Sequence, residues 1–516
     1  MQKQIKNWRL LYLSGANKML KLTVRHIDVE TGGMPTISLN EEFAKANDIS
    51  PMDRVLVRNA KGRVLVAAVD TSEEIIKPTE VGLFEDVWKK LLANEGEIVT
   101  ITPILKPESV KYIRKKMDRE ELFDDEIHAI VKDIVDERLL DVEMASFVSA
   151  AYMEGLSIAE ITALTRSIVD TGGRLKLKSK KILDKHCIGG VPGNRTTMVV
   201  VPIIASLGLT IPKTSSRAIT SPAGTADTME TLANVGFSIS ELTEIVKKTN
   251  GCIVWGGAIN LAAADDKLIR IRHPLSLDPE GMMLASIMAK KIAVGATHIV
   301  FDLPVGTEAK LRHLGEARHL EREFKKLAEK FKLKISTIIT DGNDPIGNGI
   351  GPNLEARDVL QVLKNDRKAP QDLCNKSLML AGKLLELAGK ARPGKGKEIA
   401  ETQLKSGKAN EKMMEIIAEQ GGDPKIKPSD LTFGEYTVEY KAEKKGTLDN
   451  IDSKLISKIA RASGCPLNHE AGINIEKRYG EKVRKGETIF TVYSGSERKI
   501  DKVLSIIDGS SPVVIN

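Results

Sequence analysis

Aromatic residues are scarce in this chain, at 4% of 516 residues. Proteins that bind single-stranded nucleic acids stack the bases on aromatic rings, so this scarcity argues against such a binding surface. Charge of one sign is not in large excess either, because 77 basic and 70 acidic residues give a net charge of +7 that is spread along the whole chain. We therefore expect small anions as ligands and no nucleic-acid partner.

Cysteine is nearly absent. The four cysteines, Cys187, Cys252, Cys374 and Cys465, lie far apart, with no CxxC pair and no histidine at zinc-ligand spacing. This pattern predicts no metal site and no cofactor, and it excludes a disulfide-stabilised scaffold. Because cytosolic proteins generally keep their thiols reduced, the expected location is the cytoplasm.

Long apolar runs are also missing. The run that begins at Met198 is about 14 residues long and contains Pro202 and Gly208, whereas a membrane helix needs ~20 apolar residues. The N-terminus has no apolar segment of the length that a signal peptide requires. We therefore expect a buried core helix at Met198 and no membrane association.

The apolar residues change period along the chain, and these changes predict four domains. Alternation at period two is typical of strands, and a period near 3.6 is typical of helices. Strands that alternate with helices favour an α/β domain with a largely parallel sheet. The predicted fold class is therefore α/β, in the order N-terminal β-barrel-like assembly domain (1–105), helical domain (106–176, completed by about 259–296), central α/β phosphate-binding domain (177–258 and 297–430) and C-terminal α+β domain (431–516).

The first candidate ligand-binding stretch is DKHCIGGVPGNRTTM, residues 184–198, in which a predicted strand leads into a glycine-rich loop and then a helix. Backbone N–H groups of such a loop can approach an anion, and the helix N-terminus adds partial positive charge. The spacing differs from that of a Walker motif, and glycines before a helix can also form a simple turn. We predict phosphate binding by Lys185, Gly189, Gly193 and Thr196.

The second stretch is SSRAITSPAGTADTMETL, residues 215–232, again between a predicted strand and a helix. Its hydroxyls, Arg217 and a small Ala-Gly turn cluster where only small side chains would let a ligand reach the backbone. A chain that binds one phosphate has little use for two such loops. A chain that brings phosphate to a phosphorylated sugar needs both.

The third stretch is RIRHPLSLDPEGMMLASIMAKK, which begins at Arg270. Ser286 and Lys290 are four residues apart and so share one helix face, where they could bind a polar ring. Asp278 lies among leucines and methionines, and apolar neighbours would keep its carboxyl protonated as a general acid. The structural alternative is that Asp278 merely caps a helix and that Lys290 and Lys291 form a solvated face.

In this order, the three stretches resemble a known family. KHCIGGVPG resembles the KHSTGGVGD signature of the thymidine and pyrimidine nucleoside phosphorylases, SSRAITSPAGTADTMET resembles their second signature, and ASIMAKK resembles their base-binding ASILSKK helix. The likeness extends from about Pro107 to the end of the chain. It implies a helical domain, a large α/β domain and a C-terminal unit, assembled as dimers.

Departures from these signatures bear on the substrate. Cys187-Ile188 replaces Ser-Thr of the first signature, and the four residues from Asn194 to Thr197 stand where an aspartate on the sugar side is usual. In the second signature, Ser221-Pro222-Ala223 replaces His-Thr-Gly. The loss of an acidic residue and the gain of Arg195 favour a substrate whose sugar carries an additional phosphate. With the barrel-like extension, these changes resemble the archaeal AMP phosphorylase branch. That resemblance implies a pentosyltransferase that converts AMP, and other 5′-monophosphates such as CMP and UMP, with phosphate into free base and ribose 1,5-bisphosphate, which feeds ribulose bisphosphate formation.

Carried over position by position, the resemblance makes Asp278 the proton donor to the base. Phosphate would attack C1′ from the opposite side of the sugar, for which the family closes its helical and α/β domains. Arg270 remains an alternative to Arg272 as the base-binding arginine, and which loop takes which phosphate stays open. The predicted substrate-binding residues are Gly190, Ser216, Arg217, Ala218, Ile219, Thr220, Ser221, Thr225, Arg272, Ser286, Lys290 and Lys310.

Three other interpretations remain. The chain could be a pyrimidine nucleoside phosphorylase, or an anthranilate phosphoribosyltransferase, which shares the architecture but requires a metal and acidic metal-binding residues. From a different class, it could be a non-catalytic nucleotide sensor whose barrel drives assembly. Under the favoured interpretation the partners are AMP and phosphate, with no nucleic acid and no membrane, and the barrel links homodimers into larger homo-oligomers.

Overall fold

The computed structural model describes residues 19–218, 221–259 and 261–516. These residues form two compact units. The first unit comprises the described residues up to Thr171 together with Ala263–Ser286. The second unit comprises the described residues of Gly172–Ala262 and Ile287–Asn516.

Six strands form the N-terminal part of the first unit: β1 (Leu20–Ile27), β2 (Thr36–Asn40), β3 (Arg54–Arg58), β4 (Val64–Ser72), β5 (Glu80–Phe84) and β6 (Ile98–Ile104). They close into a barrel in the order β1-β5-β2-β4-β3-β6, with β6 paired to β1. The β1–β5 and β2–β4 pairs are parallel, and the other neighbours are antiparallel. The barrel that the strand pattern predicts is therefore confirmed, and closure leaves these strands no exposed edge.

Side chains of alternate strand residues fill the barrel. Leu20, Leu22 and Val24 of β1 are buried while the residues between them are exposed, which is the pattern of a strand with one face in a core. Two short helices, Glu41–Ala46 and Glu85–Leu91, each begin directly after a barrel strand.

Longer helices build the rest of the first unit. Ile127, Ile130 and Ile134 form one apolar stripe with the helical period, and each is at most 1% exposed. A buried ion pair joins two of these helices, since Lys116 Nζ lies 2.9 Å from Glu160 Oε1. The helices are Ser109–Met117, Asp124–Val135, Asp141–Glu154, Ile158–Thr171 and Ala263–Arg272, and the helix Glu280–Ala293 begins in this unit.

Five parallel strands form the layer that carries the phosphate-loop candidates: β7 (Leu183–Cys187), β8 (Ile211–Ser215), β9 (Gly251–Trp255), β10 (His298–Val305) and β11 (Lys334–Asp341). Their orders are β11-β10-β7 and β8-β9, and a parallel bridge between Ile182 and Thr210 joins the two sheets. The prediction of an α/β domain with a largely parallel sheet is confirmed. In open α/β sheets, ligands bind beyond the carboxyl ends of the strands.

Helices pack around this layer in the second unit. The apolar run from Met198 lies in the helix Thr196–Ser206, where Val199, Ile203 and Ile204 are fully buried, so the predicted core helix is confirmed. Within the described ranges, no helix has the length and apolar character needed to cross a membrane. The other helices of this part are Thr225–Glu230, Ile239–Thr249, Leu314–Lys330, Pro352–Leu363, Gln371–Leu387, Gly396–Lys405 and Lys408–Glu419.

A separate apolar core, which includes Ile459, Phe490 and Val492, forms the C-terminal part of the second unit. Its strands are β12 (Gly349–Ile350), β13 (Tyr436–Lys441), β14 (Gly446–Ile451), β15 (Gly472–Ile475), β16 (Lys482–Val483), β17 (Thr488–Ser494) and β18 (Val513–Ile515). They pair antiparallel in the orders β12-β15-β17-β13 and β16-β14-β18, beside the helices Ser453–Ser463 and Glu497–Asp508. The predicted C-terminal α+β unit is therefore present.

Candidate active site

The glycine-rich loop after β7 depends on glycine at two positions. Gly190 and Gly193 have φ values of +91° and +70°, in the left-handed region that favours glycine. A Cβ atom on Gly190 would lie 2.3 Å from the backbone nitrogen of Lys310, and one on Gly193 would lie 2.1 Å from the carbonyl oxygen of Ile346. The loop therefore tolerates no side chain at either position, and the backbone of Lys310 lies beside it.

A first charge cluster lies on one face of β7. Lys185 is 1% exposed and donates a hydrogen bond to the hydroxyl of Thr196 at 2.7 Å. Its Nζ lies 3.8 Å from Oδ2 of the fully buried Asp302, and Lys376 Nζ lies 3.4 Å from the same oxygen. Burial lowers the pKa of Lys185, and Asp302 opposes that shift. Two predicted phosphate-binding residues, Lys185 and Thr196, are thus in direct contact.

A second charge cluster lies on the opposite face of β7, because successive side chains of a strand alternate. Asp184 accepts a hydrogen bond from Lys213 at 3.2 Å and forms an ion pair with Lys291 at 2.7 Å. Burial lowers the pKa of Lys291 to about 7, although Asp184 opposes the shift. Lys291 is 2% exposed, so the interpretation of this lysine as part of a solvated face is wrong.

His186 shares this face of β7. Burial lowers the pKa of His186 well below its ordinary value, and the nearby lysines, led by Lys291, lower it further. The imidazole is therefore neutral near pH 7, with one nitrogen as a donor and the other as an acceptor.

Together, the two clusters contain more positive than negative side chains. Four lysines against two aspartates leave an excess of two positive charges if every group is ionised. A buried charge without a partner costs roughly several kcal/mol, and a bound anion or the loss of a proton removes that cost. Each face of β7 thus has an excess of one positive charge, and the strand with the loop that follows it is a candidate anion-binding element. The six groups are Lys185, Lys213, Lys291, Lys376, Asp184 and Asp302.

Asp227 closes the second loop. One carboxylate oxygen of Asp227 accepts hydrogen bonds from the backbone N–H groups of Ala218 at 2.7 Å and Gly224 at 2.8 Å. These contacts fix both ends of the loop before the helix Thr225–Glu230. Ile219 and Thr220, which were predicted to bind the substrate, lie outside the described residues.

Polar side chains of the second loop have partners within the second unit. Arg217 donates to Glu230 at 2.6 Å and stacks over the ring of Trp255, 4.9 Å from its centroid. The Ser221 hydroxyl donates to the carbonyl of Ala223 at 3.1 Å. Glu230 thus holds the Arg217 guanidinium, so a substrate anion would have to share it. Ser216, another predicted substrate residue, is exposed.

The Arg195 side chain contacts three residues within the second unit. Its Nε lies 2.5 Å from Glu355 Oε2, and its two terminal nitrogens donate to Thr225 Oγ1 at 2.9 Å and to the carbonyl of Ala223 at 3.2 Å. Burial raises the pKa of Glu355 to about 7, against the opposing effect of Arg195. The Arg195 guanidinium thus has partners inside the protein, so an additional phosphate on the substrate would have to share it.

The candidate acid lies in the first unit. Arg272 donates to Asp278 Oδ1 at 3.1 Å, and the Asp278 side chain is 39% exposed. The expected apolar enclosure of Asp278 is therefore wrong, since its side chain contacts a guanidinium and is partly exposed to solvent. Arg270 points elsewhere, toward Asp141 at 3.4 Å. Of the two candidate arginines, Arg272 is the one beside the acid.

The helix Glu280–Ala293 carries both residues that were predicted to bind the base. The Ser286 hydroxyl donates to Asp265 Oδ2 at 2.7 Å, and both side chains are buried. Lys290 is partly buried in the second unit. The carboxylate of Asp265 therefore fixes the Ser286 hydroxyl.

Sequence reasoning missed several charged residues in and around the candidate site. The available signal was a charged side chain inside an otherwise apolar strand, as for Asp302 in HIVFDLPV. Such a residue must be paired, because an unpaired buried charge is costly. The missed residues are Lys213, Asp265, Asp302, Glu355 and Lys376.

One trio of side chains in the described part of the chain has the geometry to hold a metal ion: His26, Asp28 and Glu85. It lies in the barrel, and His26 Nε2 and Glu85 Oε2 already form a hydrogen bond at 2.6 Å. None of the predicted site residues belongs to this trio.

Comparisons with known families agree with this architecture. Residues 110–172 match the glycosyl transferase family helical bundle domain, and residues 179–410 match the glycosyl transferase family a/b domain. Residues 447–513 match the pyrimidine nucleoside phosphorylase C-terminal domain. These matches and the fold define a glycosyl transferase of the nucleoside phosphorylase type.

Curated relatives show which family within this class the chain belongs to. An AMP phosphorylase from Pyrococcus furiosus is 46% identical over 95% of this chain and 97% of its own length, and one from Thermofilum pendens is 45% identical over 96% and 95%. The chain belongs to the AMP phosphorylase family. In fold alone it also resembles anthranilate phosphoribosyltransferase from Thermus thermophilus, with a TM-score of 0.52 and 18% identity over 60% of this chain and 98% of that one.

The buried Lys291 predicts a specific pH dependence of stability. Its pKa falls from 10.5 to about 7 on folding, so between these values the folded chain binds fewer protons than the unfolded chain. The contribution of Lys291 to stability therefore increases as the pH rises from 7 to about 10. Scanning calorimetry should show that the Tm of the wild type minus that of Lys291→Met increases over this range.

The control is Lys326→Met, at an exposed lysine of the same unit. The Tm of the wild type minus that of Lys291→Met would contradict the proposed role of the buried lysine if it decreased as the pH rises. It would also do so if it changed with pH in the same way as the corresponding difference for Lys326→Met.

Proposed function

We propose that this chain catalyses the phosphorolysis of AMP, with inorganic phosphate as the second substrate and adenine and ribose 1,5-bisphosphate as products. The observation that carries the proposal is the excess of buried positive charge at β7 beside two anion-type loops. Membership of the AMP phosphorylase family supports it. Phosphorolysis of a nucleotide needs two anion sites, because both the nucleophile and the sugar carry a phosphate.

The proposed mechanism follows from the cleavage of the C–N glycosidic bond. As this bond breaks, positive charge develops on the ribose and negative charge on the base. An acid at the base and a phosphate dianion at the opposite face of the sugar therefore both lower the barrier. Lys185, Thr196 and the backbone of residues 189–193 would orient an anion. In the proposed reaction, these anion-binding groups and Asp278 act on the same AMP molecule.

Asp278 would donate the proton to the base. In the structure the carboxylate of Asp278 forms a contact with Arg272. A base that accepts a hydrogen bond from Arg272 would open it. Ser286, which Asp265 orients, and Lys290 would bind the polar edge of the base.

The wider proposal follows the family resemblance. It includes CMP and UMP as further substrates, delivery of ribose 1,5-bisphosphate to the route through ribulose bisphosphate, and a cytoplasmic location. It also includes homodimers that the barrel links into larger homo-oligomers. A closed barrel that contains none of the predicted site residues supports a role in assembly.

Pyrimidine nucleoside phosphorylase is the second candidate. The match of residues 447–513 to the C-terminal domain of that family favours it. The two functions differ in one chemical feature, since a nucleoside lacks the 5′-phosphate that the second anion site would bind.

Substrate preference tests the proposal. If two charge-assisted hydrogen bonds bind the 5′-phosphate, at ~1.5 kcal/mol each, kcat/KM for AMP should exceed that for adenosine by about 100-fold. Chromatographic measurement of released base in phosphate buffer, with AMP, adenosine and thymidine in parallel, gives this ratio. Activity should persist in EDTA, whereas a phosphoribosyltransferase that needs a metal would lose it. Preference for thymidine would support the second candidate, and AMP binding without base release would indicate a nucleotide sensor.

Replacement of Asp278 tests the acid. Asp278→Asn keeps the shape and polarity of the side chain but removes the proton that it donates, so kcat for AMP should fall about 100-fold or more with KM within about threefold. Steady-state kinetics measure both. Glu108→Gln, at an exposed residue of the same unit, is the control. Unchanged turnover of Asp278→Asn would remove this residue from the acid role.

A further inference from the structure

Arg195 joins the two anion-type loops of the second unit. Its backbone belongs to the first loop, where its N–H donates to the carbonyl of Gly193 at 2.7 Å and it precedes the helix Thr196–Ser206. Its side chain reaches the second loop, where it donates to the hydroxyl of Thr225 and the carbonyl of Ala223. One residue thus fixes the distance between the loops.

Glu355 holds this arginine from a third element. It lies in the first turn of the helix Pro352–Leu363 and is 2% exposed. Its Oε2 lies 2.5 Å from Arg195 Nε and accepts a hydrogen bond from the Thr228 hydroxyl at 3.0 Å. The helix Thr225–Glu230 is therefore attached at two points, at Thr225 by Arg195 and at Thr228 by Glu355.

The chemistry of the junction requires a guanidinium. Arg195 makes three contacts from a planar group: it forms an ion pair with a carboxylate and donates hydrogen bonds to a hydroxyl and a carbonyl. A lysine at this position would keep the charge but could not make three contacts in this fixed geometry. A buried carboxylate and a buried guanidinium also need each other, because either one alone is costly.

We infer that Arg195 and Glu355 are a positioning pair that sets the second anion loop against the first and so determines the affinity for the nucleotide. This inference rests on the proposed function and on the prediction that Thr225 binds the substrate. Neither residue is a catalytic residue in it, since both act through Thr225, Ala223 and Thr228.

Two single variants test the positioning role. Arg195→Lys should lose the contacts to Thr225 and Ala223, and Glu355→Gln should weaken the orientation of the arginine. Two lost hydrogen bonds correspond to about a tenfold increase in KM for AMP, whereas kcat should stay within about threefold because the reacting groups are unchanged. The matched control is Arg357→Lys, in the same helix as Glu355, where the arginine pairs with Asp358 outside the two loops.

A double variant separates positioning from stability. Arg195→Met alone leaves Glu355 buried without its partner, so it should unfold at a lower temperature than Arg195→Met combined with Glu355→Gln. KM for AMP should nevertheless stay raised about tenfold in the double variant, because the contacts between the loops are still missing. A purely structural pair would predict that KM recovers together with Tm.

The outcomes distinguish the inference from the proposed function. Wild-type KM values in Arg195→Lys and Glu355→Gln, or a KM that recovers in the double variant, would overturn the positioning pair while leaving AMP phosphorolysis intact. A wild-type protein that releases no base from AMP would instead overturn the proposed function. A loss of kcat without a change in KM would assign Arg195 to the reacting groups and also overturn the inference.

Discussion

Burying a lysine requires a carboxylate or an anion beside it, and strand β7 and its neighbours bury more lysines than aspartates. Asp184 forms ion pairs with Lys213 and Lys291 on one face of β7. Asp302 forms ion pairs with Lys185 and Lys376 on the other face. This imbalance is the constraint on which the account of the site depends. This excess of buried positive charge lowers the stability of the folded protein unless an anion is bound or a lysine loses its proton.

Glycine residues and internal hydrogen bonds fix the two loops that are proposed to bind the anion. The backbone of Lys310 and the carbonyl of Ile346 leave no space for a side chain on Gly190 or Gly193. Asp227 ties the second loop to its helix. The loops are therefore held by contacts inside the second unit, so binding costs little further ordering of the chain.

Much of the fold follows from the sequence because periodicity reports burial directly. The barrel and the parallel α/β layer were predicted from the spacing of apolar residues, and the core helix at Met198 was predicted from the length of its apolar run. Lys185 and Thr196 were predicted from a local motif, and the structure brings their side chains into contact.

The partners of these residues could not be predicted in the same way. Asp302 and Glu355 lie more than a hundred positions from Lys185 and Arg195, respectively, and only the folded chain brings them together. The surroundings of Asp278 were predicted wrongly for a related reason. Nearby leucines and methionines in the sequence do not enclose a side chain that points to solvent and Arg272.

Calorimetric titration with inorganic phosphate tests the central claim most directly. At pH 8.5 the account predicts that phosphate binds and that protons are taken up, because an anion beside the lysine clusters raises pKa values that burial has lowered, such as that of Lys291. Two buffers with different ionisation enthalpies measure the number of protons. Absence of phosphate binding, or binding that releases protons, would contradict the account.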